Sequence, residues 1–386
     1  MLIGIVGNYG NNNQGDEAIL QGILTQLEST YPINREDILV FTNRPQQTRE
    51  KFGVQVESLY LKRKTAPMTL ITTILNHKKV IQKLDLLIVG GGGILMDLYL
   101  NGLVLFGMYG KIAQWVKTPY VIYGTGAGPI TTRKGKKILR SLVKHAKLIT
   151  VRDKASKVLL QSIGIKQAIH VIADPAFYIP KPKQTVRSEG NRNIGITAVP
   201  YYHPNYWPTE NRKKYLNYVT GMATNLDKLL EGNSQVHLHF FSTKHPEDTA
   251  VTKEIVKYMK HVEKCTIYDE DLDQEAILNK INEQDVIIGT RLHSLILALV
   301  ARKPVIGVSY HHKVSDFMDE INCSNNMIPI DELHQKDDYF VSIYGKMKEE
   351  WKETKNRFEL IFQGIRQQQP QGMDLLEDAF PSENVK

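Results

Sequence analysis

Cysteine is almost absent from this chain: Cys265 and Cys323 are the two in 386 residues. Two thiols so far apart build no disulfide framework, and they suit a reducing compartment. Long apolar runs are missing too. The most apolar region, Leu84 to Val116, is interrupted by Asp85, Asp97, Lys111 and a run of glycines, which excludes a membrane span there. The first residues, Met1 to Gly7, read at once as a buried strand without a basic leader, so no export signal is expected. Nor is there a basic tail. The 49 Lys and Arg exceed the 41 Asp and Glu by 8, and the excess is spread along the chain. That favours anionic ligands, or a loose attraction to an anionic membrane surface, over nucleic acid. Zinc-finger, RNA-binding and basic-zipper signatures are lacking, as is any repeat at solenoid spacing. No cluster of ligands has metal-binding spacing, so neither a metal nor a cofactor is expected. The expectation is a cytoplasmic protein, peripheral at the inner face of the membrane if it meets one.

What is present is a rhythm of short apolar strands alternating with helices. Leu2–Val6, Ile38–Asn43, Leu84–Gly93 with its four closing glycines, Pro119–Tyr123, Lys147–Val151 and His170–Ala173 are apolar enough for strands buried on both faces. Glycines or charges follow their carboxyl ends. This pattern predicts a doubly wound parallel sheet with its site along one rim. After a linker-like stretch, 179–193, a second α/β unit begins at Asn193. Boundaries are expected at 1–185 and 186–337. A helical segment follows over 338–386, its last twenty residues read as a loose tail. Lys62-Arg63-Lys64 reads as a solvated face. His237 and His239 alternate in a strand and read as packing or surface groups.

Two rim segments stand out. The first is Gly7 to Glu17, a Gly/Asn-rich loop leading to a helix read as Ala18–Leu27. It is neither a dinucleotide fingerprint nor a phosphate-binding loop with its lysine. Asp16 and Glu17 are well placed to complement the helix dipole. Alternatively, Asp16 serves as a base or as an acceptor for sugar hydroxyls. The second segment is Gly289 to Lys313, a strand, helix and strand in succession. Here Thr290 reads as a helix N-cap, and Arg291 and His293 read as lying on one side of an extended entrance to the helix. A cation, an imidazole and free helix N–H groups suit a small anion. The competing reading makes Arg291 a cap on a neighbouring helix and His293 a core histidine. Lys313 follows the next strand at its carboxyl end.

The series Tyr9-Gly10 with Asn13-Gln14-Gly15-Asp16-Glu17, Gly90–Gly93 with Asp97, Val151-Arg152-Asp153, Asp174-Pro175, Arg291-Leu292-His293 and Ser309-Tyr310 with Lys313 resembles the polysaccharide pyruvyltransferase family. Asn12 stands where a glycine is common in that family. The resemblance implies two Rossmann-like domains facing across a cleft, as in GT-B enzymes, with a helical C-terminal segment. It implies phosphoenolpyruvate as donor, and as acceptor a sugar of a bacterial surface polysaccharide, which can be lipid-linked. Arg152 and Lys313 would then belong to the donor site with Arg291 close by. Arginine can grip a carboxylate or phosphate bidentately, and lysine acts as a point charge. His293 would be the general acid that protonates the enol carbon, and Asp16 the base for the acceptor hydroxyl. Asn13, Gly15, Gly91, Gly92 and Asp97 complete the expected substrate-binding set. Two other classes share the pattern. A nucleotide-sugar glycosyltransferase would need a ribose-binding acid, for which Asp319 and Glu320 are weak candidates. A non-catalytic nucleotide-binding protein would not need Arg152, His293 and Lys313 together.

Overall fold

The computed structural model describes the chain apart from residues 98, 99, 183–191, 208, 369–371 and 381–386. It divides into two units, Met1–Ile179 with Ile365–Lys386, and Pro180–Gly364. Most of the stretch expected to be a linker lies outside the described residues.

The first unit is built on seven parallel strands: β1 (Ile3–Val6), β2 (Ile38–Thr42), β3 (Gln55–Ser58), β4 (Leu86–Leu95), β5 (Tyr120–Ala127), β6 (Ile149–Val151) and β7 (His170–Val171). Their order across the sheet is β3-β2-β1-β4-β5-β6-β7. The chain reverses its winding between β1 and β4, so their carboxyl ends form the switch point where doubly wound sheets hold ligands. β1, β2 and β5 are buried along their whole length, which is why they carry unbroken apolar runs. Between the strands run α1 (Gln14–Thr30), α2 (Pro45–Phe52), α3 (Ala66–Ile81), α4 (Leu100–Val116), α5 (Arg133–Lys144) and α6 (Lys154–Ser162).

Three local expectations change. α1 starts four residues before Ala18, because the Asn13 side chain accepts the Gly15 N–H and caps it. The four glycines Gly90–Gly93 do not end β4; the strand continues past them to Leu95 through a register shift. The tail is not loose over its described part. Met373, Leu376 and Phe380 are buried, Tyr31 donates its hydroxyl to the Met373 carbonyl at 2.6 Å, and its ring meets Phe380 edge-on at 4.9 Å.

The second unit has six parallel strands: β8 (Arg192–Thr197), β9 (Val236–Phe240), β10 (Cys265–Ile267), β11 (Val286–Gly289), β12 (Val305–Ser309) and β13 (Met327–Pro329). Their order is β10-β9-β8-β11-β12-β13, again reversing at the first strand of the unit. Its helices are α7 (Arg212–Glu231), α8 (Glu247–Tyr258), α9 (Gln274–Asn282), α10 (Leu292–Val300), α11 (His312–Glu320), α12 (Tyr339–Glu349) and α13 (Trp351–Gln368). α10 is buried from Ser294 onward, consistent with its apolar run Leu295–Val300. His237 and His239 reach Thr266 and Tyr268 at 3.0 and 3.2 Å, so they serve packing between β9 and the segment after it.

Candidate functional site

The rim of the first unit is organised by Asp16. Only 6 % exposed on the first turn of α1, its Oδ2 accepts the side-chain amides of Asn8 and Asn13, both at 2.8 Å. Glu17 accepts the Gly10 N–H at 2.8 Å, and burial raises its pKa against the lowering pull of that bond. The two acids therefore clamp the β1–α1 loop from the helix side. Asn12 adopts a φ of 53°, the left-handed region that asparagine tolerates better than other non-glycine residues. That is why it can stand at a glycine position. Gly91 and Gly92 have φ of 78° and 69°, and a Cβ on Gly92 would meet Asp16 Oδ1 at 2.6 Å. β4 thus uses glycine so that the Asp16 carboxylate can lie directly against its backbone. Asn13, Gly15, Asp16, Gly91 and Gly92 are brought together as expected from the sequence.

Asp97 is not drawn to that cluster. Its carboxylate accepts the N–H and hydroxyl of both Thr131 and Thr132 over 2.6–3.3 Å, and Thr132 in turn caps α5. Burial would raise its pKa, but these four donors outweigh that and hold it below the ordinary carboxylate range. The fold uses Asp97 to fasten a helix start. Arg152 is held on one side, while its buried Nε has no hydrogen-bond partner. It is buried, with Nη1 donating to Asp174 Oδ2 at 2.8 Å. The other Asp174 oxygen takes the Ala176 N–H at 3.0 Å and fixes the turn at Pro175. α1 packs on that turn so closely that a Cβ on Gly22 would lie 1.8 Å from the Pro175 carbonyl. The Arg152-Asp153 and Asp174-Pro175 motifs are one device.

In the second unit, α10 begins at Leu292, so the N-cap is Arg291 rather than Thr290. Thr290 is fully buried and gives its hydroxyl to the Thr197 carbonyl on neighbouring β8 at 3.1 Å, which removes it from capping. Ser294 donates to the Arg291 carbonyl at 2.6 Å and receives the Thr197 hydroxyl at 2.9 Å. Arg291 is extended, but His293 already lies on the first helical turn, so a shared extended segment does not set their directions. The bidentate edge of Arg291 is taken by Asp248 of α8 at 2.6–2.9 Å. Asp248 also accepts the N–H groups of Thr243 and Lys244. Arg291 therefore ties the β11–α10 turn to the start of α8.

Register brings His293 and Lys313 to one rim. β11 and β12 run side by side with Gly289 opposite Gly307, so the helices that follow them start as neighbours. His293 and Lys313 each occupy the second helical position, on α10 and α11. α11 is capped by the His311 side chain, whose Nδ1 accepts the Lys313 N–H at 3.3 Å. Burial, then His312 and Lys313, push the His311 pKa down to about 4, which keeps the ring neutral and able to accept. Two adjacent helix N-termini, a histidine and a lysine make a rim suited to a small polyanion.

Two features escaped the sequence reading. Asp248 carried no signal, being an ordinary first-turn acid. The second is an aromatic group after β8 and β12, in which Tyr201 meets Tyr202, Trp207 and Tyr310 at centroid distances of 4.7, 5.5 and 6.5 Å. Its signal was the density of rings from Tyr201 to Trp207 directly after a strand. Among the described residues, no group of three His, Cys, Asp or Glu side chains could hold a metal ion.

Two Rossmann-like parallel α/β units in one chain place the protein in the GT-B-like class. Among solved structures it is similar to the UDP-GlcNAc 2-epimerase of Neisseria meningitidis bound to UDP-GlcNAc, with a TM-score of 0.64 over 98% of each chain at 13% identity. It is also similar to Anabaena Alr3699/HepE in complex with UDP and glucose, with a TM-score of 0.62 over 97% of each chain at 13% identity. Likeness at this level is likeness of fold. In sequence, residues 13–312 match the family described as polysaccharide pyruvyl transferase. The chain belongs to the polysaccharide pyruvyl transferase family, and is a transferase by that membership. A relative is the amylovoran biosynthesis protein AmsJ of Erwinia amylovora, 21% identical over 363 residues, covering 83% of this chain and 86% of that one.

Proposed function

We propose that the protein transfers pyruvate from phosphoenolpyruvate onto a sugar of a bacterial surface polysaccharide or its precursor, forming a ketal and releasing phosphate. The observation that carries this reading is the pairing of the α10 and α11 N-termini, with His293 and Lys313 both at the second helical position. Phosphoenolpyruvate bears a phosphate and a carboxylate, and such a rim offers backbone donors, two positive dipole ends and one lysine charge to receive them.

His293 delivers a proton to the methylene carbon of the enol. The positive charge that develops at the adjacent carbon is met by one sugar hydroxyl, which loses its proton to a base. A second hydroxyl of the same sugar then displaces phosphate from that carbon, returns its proton to His293 and closes the ketal. Both oxygens of the ketal come from the acceptor, and the phosphate leaves with the original bridging oxygen. Within the first unit taken by itself, Asp16 is the carboxylate proposed to contact the acceptor sugar, aimed by Asn8 and Asn13. Arg152 and Arg291 each face a buried carboxylate, so they are positioning residues that hold the Asp174 turn and the α10 start. No cofactor or metal enters this sequence of steps. An acceptor of this class, where lipid-linked, brings the enzyme to a membrane surface. No helix among the described residues is long and apolar enough to cross one.

Thermal shift tests the donor. Phosphoenolpyruvate should raise the melting temperature of wild type and of His293→Ala, but not of Lys313→Ala, because a ligand that binds only the folded state stabilises it. Phosphate release in the presence of saccharide acceptor should be lost in His293→Ala. A shift with nucleotide sugars and none with phosphoenolpyruvate would overturn the reading in favour of glycosyl transfer.

A further inference from the structure

Helix α3 carries an apolar stripe on its solvent side. Its fully buried positions are Thr73, His77 and Ile81, spaced by four, and Ile74 and Val80 pack against the core beside them. Its outward positions are Met68, Ile71 and Leu75, exposed by 51%, 58% and 57%, with Leu70 beside them. Spacing of three and four residues puts Met68, Ile71 and Leu75 on one stripe. Scattered exposed apolar residues mean little, but an apolar stripe on one helix marks a contact surface. Trp115 of α4, 59% exposed, extends the stripe sideways, with the Lys78 ammonium 4.0 Å from its ring centre.

Charge says what that contact is. From Leu59 to Lys83 there are six basic residues and no acidic one: Lys62, Arg63 and Lys64 before the helix, Lys78, Lys79 and Lys83 at or after its end. The first three, Lys79 and Lys83 are exposed. An apolar stripe with tryptophan, bracketed by cations, is complementary to the interface of an anionic bilayer, where the apolar side chains enter the acyl boundary and the cations meet phosphates. A second protein copy would bring the same six charges against themselves.

The stripe also leads to the rim. Tyr60 and Lys62 line an open polar pocket with Gly10, Asn43, Arg44 and Ser58, at the carboxyl ends of β1, β2 and β3. We propose that α3 and its basic flanks dock the enzyme on a bilayer of anionic phospholipid, with this pocket beside the headgroups. The proposal rests on the reading above for why a bilayer is met, and on the surface alone for how it is bound.

Vesicle flotation of the full chain tests it, with phosphatidylcholine vesicles and with vesicles that also contain phosphatidylglycerol. Wild type should float with the anionic vesicles only, and less at high salt. An Ile71→Glu/Leu75→Glu variant should lose that binding. A Lys62→Ala/Arg63→Ala/Lys64→Ala variant should weaken it by about fivefold per charge. Val158→Glu, on exposed α6, should bind as wild type. Melting temperatures near wild type would show that the variants fold, since all these side chains lie in solvent. Phosphoenolpyruvate should still stabilise each variant; its failure to stabilise even wild type would count against the transfer reading and leave the docking result standing. Wild type that binds neither vesicle, or α3 variants that bind as wild type does, would overturn the proposal. So would a concentration-dependent dimer abolished by Ile71→Glu/Leu75→Glu, which would give the face to a second copy.

Discussion

Nε and Nη2 of Arg291 lie 2.6–2.9 Å from the two carboxylate oxygens of Asp248, whose side chain is wholly buried. This pair fixes where α10 begins relative to α8, and therefore where His293 stands. Arg291→Ala strands the Asp248 charge with only the Thr243 and Lys244 donors. The expected loss is about 3–5 kcal/mol of unfolding free energy, the usual cost of breaking a buried pair from one side. Urea denaturation measures it, and a loss below about 1 kcal/mol would show that the pair holds nothing.

Gly92 and Gly53 separate two costs that are often merged. Both have positive φ, 69° and 66°, but a Cβ on Gly92 would strike Asp16 Oδ1 at 2.6 Å while Gly53 faces open space. Gly53→Ala should cost about 1 kcal/mol, for the left-handed backbone alone. Gly92→Ala should cost at least twice that and also lower turnover, because Asp16 must move. Equal costs in denaturation would refute the close approach.

Asp97→Asn tests whether that residue is a cap or a ligand. Its folded pKa is depressed, so the charged form contributes stability that is full above the ordinary carboxylate pKa and is lost as pH falls through the folded value. Wild type should lose this increment in acid, and Asp97→Asn should start without it. The stabilisation by phosphoenolpyruvate should be unchanged in the variant. If it vanishes, Asp97 is a ligand after all.

His77 is buried against Phe41 and Tyr109, at centroid distances of 5.1 and 5.3 Å. Burial lowers its pKa from 6.5 to about 4. Between these values the unfolded chain binds the proton and the folded one does not. The contribution is therefore complete above pH 6.5 and declines as pH falls toward 4, by up to about 3 kcal/mol. His77→Leu should flatten stability against pH across that window. An unchanged slope would assign the titration elsewhere.

The fold was legible because the central parallel strands of both units are buried, whereas the edge strand β3, with no buried residue, was not read. Strands such as Ile3–Val6 and Val286–Gly289 must then be apolar throughout, and the intervening helices must alternate with them. The Asn13 to Glu17 cluster was legible for a related reason: its members lie within one loop and helix turn, so sequence distance and spatial distance agree. The extent of β4 was not, since glycine usually interrupts strands, and here the helix facing it demands the glycines.

The arginines mark the limit. Arg291 and Asp248 are 43 residues apart, and Arg152 and Asp174 are 22 apart. An arginine at a strand end looks the same in sequence whether it awaits a ligand or a carboxylate from another helix. Only packing brings that carboxylate near. The exposed stripe of α3 is the same lesson in reverse: periodicity shows apolar positions but not which of them stay in solvent. The sequence by itself determined the buried strands, the helices alternating with them and the residues at their carboxyl ends, because burial period and turn chemistry are local. The tertiary structure decided which charges are spent inside the protein and which apolar side chains are left outside, because both depend on neighbours distant along the chain.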